Sequence, residues 1–201
     1  MTQILEKPQT QAPPNILELS QFSRRVFTFA EFEQMSDAGL FADEHVELLN
    51  GKIFVKGMQS PQHSYAVTSL TEKWLPLFQG LASLAAQVPM ILQSPPPNFV
   101  EPDIMLRKLP SSSYSTRTTT NEDVLLILEV SDSTLERDQN AKLRAYAKNG
   151  VADYWILNLH TQQLEVRREP DGEDYLLVQK YKAGQAVAPL EFAGVALEWW
   201  L

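Results

Sequence analysis

The chain has no cysteine among its 201 residues, which excludes disulfide staples and metal sites built on thiolates. It also lacks the roughly 18 consecutive apolar residues that a membrane-spanning helix needs. Its first residues, MTQILEKPQTQAPPNI, have neither the basic start nor the apolar run of a secretory signal. Basic residues are in deficit, with 17 Lys and Arg against 25 Asp and Glu, for a formal charge of −8. Proteins that coat nucleic acid draw affinity from Lys and Arg displacing counterions. That class is therefore excluded by net charge, although a local basic patch on an acidic chain still binds DNA. These absences leave a soluble cytoplasmic protein with no membrane partner.

What is present is enough apolar material for a sizeable core: 44% of the residues, with nine Phe and four Trp. The length suits one domain with an extension. Residues 1–24, rich in Gln, Pro and polar side chains, read as a flexible N-terminal arm, which leaves 25–201 as a single domain. Thr28-Phe29-Ala30-Glu31 fits a capping box for a helix to about Asp37, stopped at Gly39. In VELLNGKIFV, Asn50-Gly51 between two apolar runs signals a hairpin, because a type I′ turn needs two residues that tolerate positive φ. Ser60-Pro61 opens a second helix running to Phe78, with Val67, Leu70, Trp74, Leu75 and Phe78 on one buried face.

Leu84 to Leu92 is read as a strand, SPPPNF as a loop, and Pro102 to Leu106 as a short strand. A polar loop, PSSSYSTRTTTNED, follows. Leu125 to Val130 is a buried strand, Ser133–Glu136 a capping box for a helix to Lys148 stopped by Gly150, and Ala152 to Leu159 another buried strand. Leu164–Arg168 and Tyr175–Lys180 suggest a hairpin around Pro170-Asp171-Gly172, and VALEWWL a last strand or helix. The order implies an α/β (α+β) architecture with a mixed sheet flanked by helices, and Leu125 to Leu159 forms a strand-helix-strand crossover.

In LLILEVSDST, Glu129 ends an apolar run, where an unpaired carboxylate would be costly to desolvate. Asp103 likewise sits beside an apolar strand, in PDIML. Two carboxylates on adjacent strands can hold a hard divalent cation, and a nearby ammonium can orient water or offset charge on a phosphate oxygen. Asp138, Lys142 and Tyr146 recur every four residues and share one helix face. Turned toward the sheet, that face delivers Lys142 to the carboxylates; turned outward, it makes only a surface ion pair. The plainer readings are a solvated or Arg-paired Glu129, a solvated turn Asp103 and a surface Lys142. Tyr154-Trp155 reads as core packing. Arg137, Arg144 and Lys148 form either a local basic patch or a solvated helix face.

The ordered series EPDIML, LILEVSDST and RDQNAKLRAYAKNGVADYWILN resembles the Uma (Uma-two) family of restriction-endonuclease-like proteins, within the PD-(D/E)XK nuclease superfamily. Upstream VELLNGKI and SPQHSYAV extend the resemblance to most of the chain from Thr28. It implies a restriction endonuclease-like fold, a central mixed β-sheet with a helix on each side. It also implies a metal set of Asp103, Glu129 and the adjacent Val130, binding Mg²⁺ or Mn²⁺. The position where the superfamily carries a Lys, two after Glu129, is here Ser131. Lys142 matches the family's D-x-x-x-K-x-x-x-Y pattern on the helix and is expected to take over that charge, with Tyr146 beside it. Glu47 matches an acidic position on the first strand. His63 also matches a family position, where a role beside phosphate or the metal competes with a plain helix-start His.

The implied activity is metal-dependent endonucleolytic hydrolysis of DNA, and two sites related by a two-fold axis would make a homodimer useful. The alternative is a non-catalytic nuclease-fold module for nucleic-acid binding or oligomeric interaction, which Ser131 and the acidic charge favour. Hydrolysis of another phosphate ester stays open, because fold does not fix substrate.

Overall fold

The computed structural model describes residues 25–201; the expected N-terminal arm lies outside the described residues. The first helix, α1 (Phe29–Asp37), starts at the expected capping box. Thr28 Oγ1 accepts from the Glu31 amide, and the Glu31 carboxylate accepts from the Thr28 amide. Strands β1 (Val46–Leu49) and β2 (Lys52–Val55) form the hairpin, with Asn50 and Gly51 both at positive φ. Gly51 is required twice over. Its φ is +69°, and a Cβ there would lie 2.6 Å from Val26 Cβ, where the segment before α1 donates from the Phe27 amide to the Gly51 carbonyl. Gly51→Ala is expected to cost about 1–3 kcal/mol, measured as a lower urea midpoint; an unchanged midpoint would show that this crossing yields freely.

Ser60 caps α2 (Pro61–Trp74), accepting from the His63 amide, and a 3₁₀ turn at Leu75–Phe78 completes the predicted span. The next stretch departs from expectation. Leu84–Leu92 is not one strand but two, β3 (Ser83–Ala86) and β4 (Met90–Leu92), in different sheets. Gln87, at φ 52°, turns the chain between them. The supposed SPPPNF loop gives up its last residues to β5 (Asn98–Val100), which pairs with both β1 and β4. Strand β6 (Ile104–Arg107) is followed by a long polar connection that includes a two-residue strand, β7 (Thr119–Thr120), parallel to β4.

The longest apolar run becomes β8 (Val124–Ser131), antiparallel to β6 and parallel to β9 (Asp153–Asn158). Strands β10 (Gln163–Asp171) and β11 (Asp174–Lys182) form the last hairpin. There are thus two mixed sheets rather than one, ordered β2-β1-β5-β4-β7 and β11-β10-β9-β8-β6-β3. The tail is neither strand nor helix. A 3₁₀ turn (Leu190–Phe192) and a Val187–Leu197 bridge bring in Trp199, whose indole donates to the Gln185 carbonyl.

The six-stranded sheet is buried on both faces, as the continuous apolar runs require. One face carries Ile104, Leu126, Leu128, Val130, Trp155 and Leu157 against Val67, Leu70 and Trp74 of α2. Each such side chain contributes about 1.5–3 kcal/mol on burial. The other face carries Met105, Ile127, Tyr154 and Ile156 against the helix after β8 and against Leu49, Met90 and Val100 of the smaller sheet. By strand alternation, Glu129 and Ser131 fall on the same face as Ile127.

The helix after β8 is not uniform. It runs as α3 (Leu135–Arg137), a π-helical turn (Asp138–Lys142) and α4 (Leu143–Lys148). The expected Ser133–Glu136 capping box does not form. Thr134 makes no side-chain cap, because its hydroxyl donates to the Asp138 carboxylate at 2.6 Å.

Candidate active site

The antiparallel register of β6 and β8, with Ile104 opposite Leu128, puts Asp103 and Glu129 at the same end of the sheet. The π turn rotates Asp138 and Lys142 inward, and Tyr146 follows one turn later. All three are buried, Lys142 to 1% exposure and Glu129, which they face, to 2%. The inward rotation is therefore the one the chain adopts. Lys142 Nζ donates to Glu129 Oε1 at 2.8 Å, and Tyr146 donates to the same oxygen at 2.7 Å.

Glu47, from β1 of the other sheet, reaches Lys142 from its far side, with Oε1 3.1 Å from Nζ and accepting from the Glu101 amide. Lys142 thus bridges two carboxylates and is far from a surface lysine. Glu47 is a partner of Lys142 and Arg137, at 3.6 Å. Among the described residues, no three His, Asp or Glu side chains cluster in a metal-holding geometry.

Asp103 Oδ2 accepts from the Val130 amide at 2.8 Å and from His63 Nε2 at 3.1 Å. Ser60, which caps α2 and so sets His63, is itself tied to Asp132 at 2.6 Å. Sequence reading missed Ser60, Asp132 and Lys56 as components of this wall. A serine cap followed by a His three residues on was the signal available for the first. Ser131 does not face the cavity with Lys142. It is fully buried and donates to Asp138 Oδ2 at 2.8 Å, anchoring the π turn to the strand. The proposed basic patch does not form as one surface: Arg137 lines the cavity, whereas Arg144 and Lys148 are exposed, Lys148 reaching the Pro95 carbonyl. Tyr154 and Trp155 are core residues.

Asp103, Glu129, Lys142, His63, Arg137 and Lys56 line one cavity of about 150 Å³. Among the described residues, the hydrogen bonds to the two carboxylates all end on Asp103 Oδ2 and Glu129 Oε1. Asp103 Oδ1 and Glu129 Oε2 are left without a donor. That donor set suits Mg²⁺ or Mn²⁺, which take one or two carboxylates and keep several waters.

Burial pushes the Glu129 carboxyl up to about 8, against the pull of Lys142. Burial also opposes the charge on Lys142, but Glu129, Glu47 and Asp138 together hold its pKa above the ordinary lysine value. Asp103 and Glu47 pay the same desolvation yet stay below the usual carboxylate value, Asp103 through His63 and Glu47 through Lys142. Pushing neighbouring acids apart in this way is what sites that divide acid and base roles do.

This arrangement can be compared with known proteins. The sequence profile of the Uma2 family, described as "Putative restriction endonuclease", matches residues 29–199. The chain belongs to the Uma2 family. No curated protein matches it. A solved structure from Anabaena variabilis ATCC 29413, described as a putative nuclease belonging to DUF820, shares the fold. The match has a TM-score of 0.57 at 16% identity, covering 78% of this chain and 88% of that one. The Uma2 assignment and the shared fold agree with the restriction endonuclease-like architecture expected from the motifs. No helix among the described residues of the Uma2 protein is long and apolar enough to cross a membrane.

Proposed function

We propose that this Uma2-family protein is a divalent-metal-dependent endonuclease that hydrolyses DNA phosphodiester bonds. The observation that carries the proposal is the convergence of Asp103, Glu129 and Lys142 on one cavity, with a donor-free oxygen on each carboxylate. Asp103, Glu129 and Val130 would hold Mg²⁺ or Mn²⁺. Such an ion, when bound, supplies positive charge against the scissile phosphate and lowers the pKa of an attacking water.

The chain's own groups do the rest. The Val130 amide and His63 fix the Asp103 carboxylate through Oδ2, which leaves Oδ1 without a donor. Tyr146 and Lys142 fix Glu129 in the same way through Oε1. Glu47 holds Lys142 from behind and so positions the ammonium beside the reacting phosphate, where it orients the water or offsets developing charge. Ser131 acts at one remove, through Asp138 and the π turn. In this reading residues 25–201 work as one cytoplasmic nuclease unit on duplex DNA, paired about a two-fold axis to cut both strands.

Supercoiled plasmid is expected to be nicked or linearised in Mg²⁺ or Mn²⁺ and left intact in EDTA. A pure, folded sample inert with both ions, and monomeric by light scattering, would overturn the catalytic and dimeric parts together.

A second reading, a non-catalytic nuclease-fold module, is favoured by Ser131 at the superfamily's Lys position and by a Lys142 already engaged by two carboxylates. Metal binding separates the two. An ion at 100-fold its dissociation constant stabilises the folded state by about 2.7 kcal/mol, so millimolar Mg²⁺ or Mn²⁺ is expected to raise the melting temperature. Absence of any shift would favour the module.

A further inference from the structure

Four cationic side chains border the cavity, and three are engaged. Lys142 donates to Glu129 and sits between two carboxylates. Lys56 donates to Glu101 Oε1 at 2.7 Å, and His63 is bonded to Asp103. Arg137 is different. Its nearest carboxylate oxygens are Glu47 Oε2 at 3.6 Å and Asp138 Oδ1 at 3.9 Å, both beyond hydrogen-bonding distance. Arg137 Nε, Glu47 Oε2 and Asp138 Oδ1 are all buried polar atoms without a hydrogen-bond partner. A guanidinium held by field alone beside two acceptors it does not bond is poised for another ligand, since unmade buried hydrogen bonds are costly.

We infer that Arg137 is the phosphate-binding residue of this site, its planar fork taking a non-bridging oxygen pair of the DNA backbone next to the Asp103–Glu129 carboxylates. The inference rests on the nuclease reading and assigns the substrate contact within it. The guanidinium geometry suits a phosphate better than an ammonium does, because its donors match two oxygens at once. Its placement at the start of the π turn puts it on the same element as Lys142, so substrate charge and Lys142 are set by one helix segment. The neighbouring Glu47 and Asp138 keep it charged.

The experiment measures binding of a short DNA duplex by the full chain in an Asp103→Asn background, without divalent metal so that turnover does not interfere, across a salt series. Adding Arg137→Gln is expected to weaken binding about 10- to 100-fold and to reduce the slope of log K against log salt by about 0.9, the signature of one lost phosphate contact. Adding Arg137→Lys instead is expected to restore the slope while recovering only part of the affinity. A merely structural Arg137 would lower the melting temperature and leave the slope unchanged. If the Asp103→Asn protein binds DNA and Arg137→Gln keeps its slope, the assignment of Arg137 fails and the nuclease reading stands. If the Asp103→Asn protein and the unaltered chain both bind no DNA, the nuclease reading fails and takes this assignment with it.

Discussion

Asp103→Asn is expected to lower DNA cleavage by about a thousandfold or more while leaving the fold intact. The carboxylate has two separable duties. Oδ2 is a structural acceptor for the Val130 amide and His63, and an Asn carbonyl oxygen in its place accepts both bonds through its two lone pairs. Oδ1 has no donor, and there the amide nitrogen of Asn has no charge and no lone pair for a hard cation. Positioned charge and metal assistance are each worth several kcal/mol at a transition state, and about 4 kcal/mol is a factor of a thousand. Plasmid cleavage rates with matched melting curves measure this. Full activity in both Asp103→Asn and Glu129→Gln would remove these residues from the site.

Lys142→Met carries the largest expected cost in stability. The side chain is fully enclosed, and its ammonium answers Glu129 and Glu47 at once. Methionine fills much of the same volume, so packing is largely kept and the electrostatic loss dominates. Removing one member of a buried ionic set costs about 3–5 kcal/mol, because the remaining charge is left uncompensated. For a chain of this length that is on the order of 10 °C in melting temperature. Glu47, held below the ordinary carboxylate value, despite its burial, by Lys142, is the charge left behind, so adding Glu47→Gln to Lys142→Met is expected to return part of the loss. A single variant that melts within a degree of the parent would mean the pair is wet in solution.

The same triad sets a pH dependence. Glu129 has a folded pKa of about 8 against an ordinary 4.5, so the folded chain holds a proton that the unfolded chain releases between those values. Its contribution is complete below the unfolded pKa and is lost as pH rises toward 8. Lys142, raised rather than lowered, loses nothing in that window. Urea midpoints of the metal-free protein are expected to decline from about pH 5 to 8. Glu129→Gln is expected to reduce the decline, leaving the part set by His63, whose folded pKa, despite its burial, is also raised by Asp103. A parent whose midpoint is already flat there would contradict a protonated Glu129.

Local rules carried the sequence reading where one residue type settles the backbone. Asn50-Gly51, Thr28 with Glu31, and Ser60-Pro61 each name a turn or cap whose geometry few other residues satisfy, and each forms. Leu84–Leu92 failed because the break at Gln87 and Pro89 was read through as one strand; Gln87 adopts positive φ, and which of two sheets each half joins is a tertiary choice. The Ser133–Glu136 capping box failed because the helix starts one residue later, after Thr134, whose hydroxyl bonds Asp138 instead of an end amide.

At the site, the four-residue spacing of Asp138, Lys142 and Tyr146 identified a shared face but not its rotation, and nothing in the spacing announces a π turn. Glu47 is far from Lys142 in sequence; family resemblance marked it as an acidic position but not as a partner of Lys142, and that pairing became visible only in the fold. Ser131 illustrates the converse. Its position was flagged as a missing lysine, but its contact with Asp138 shows what the residue does instead.

The bond from the Val130 amide to Asp103 has a further consequence. Val130 directly follows Glu129, so one carboxylate is tethered to the backbone that carries the other. The spacing between the two donors is then governed by a peptide link and the pairing of two interior strands, not by the freedom of side-chain rotamers. In the proposed centre, the two carboxylates would therefore shift together with the backbone of β8 and not independently of it.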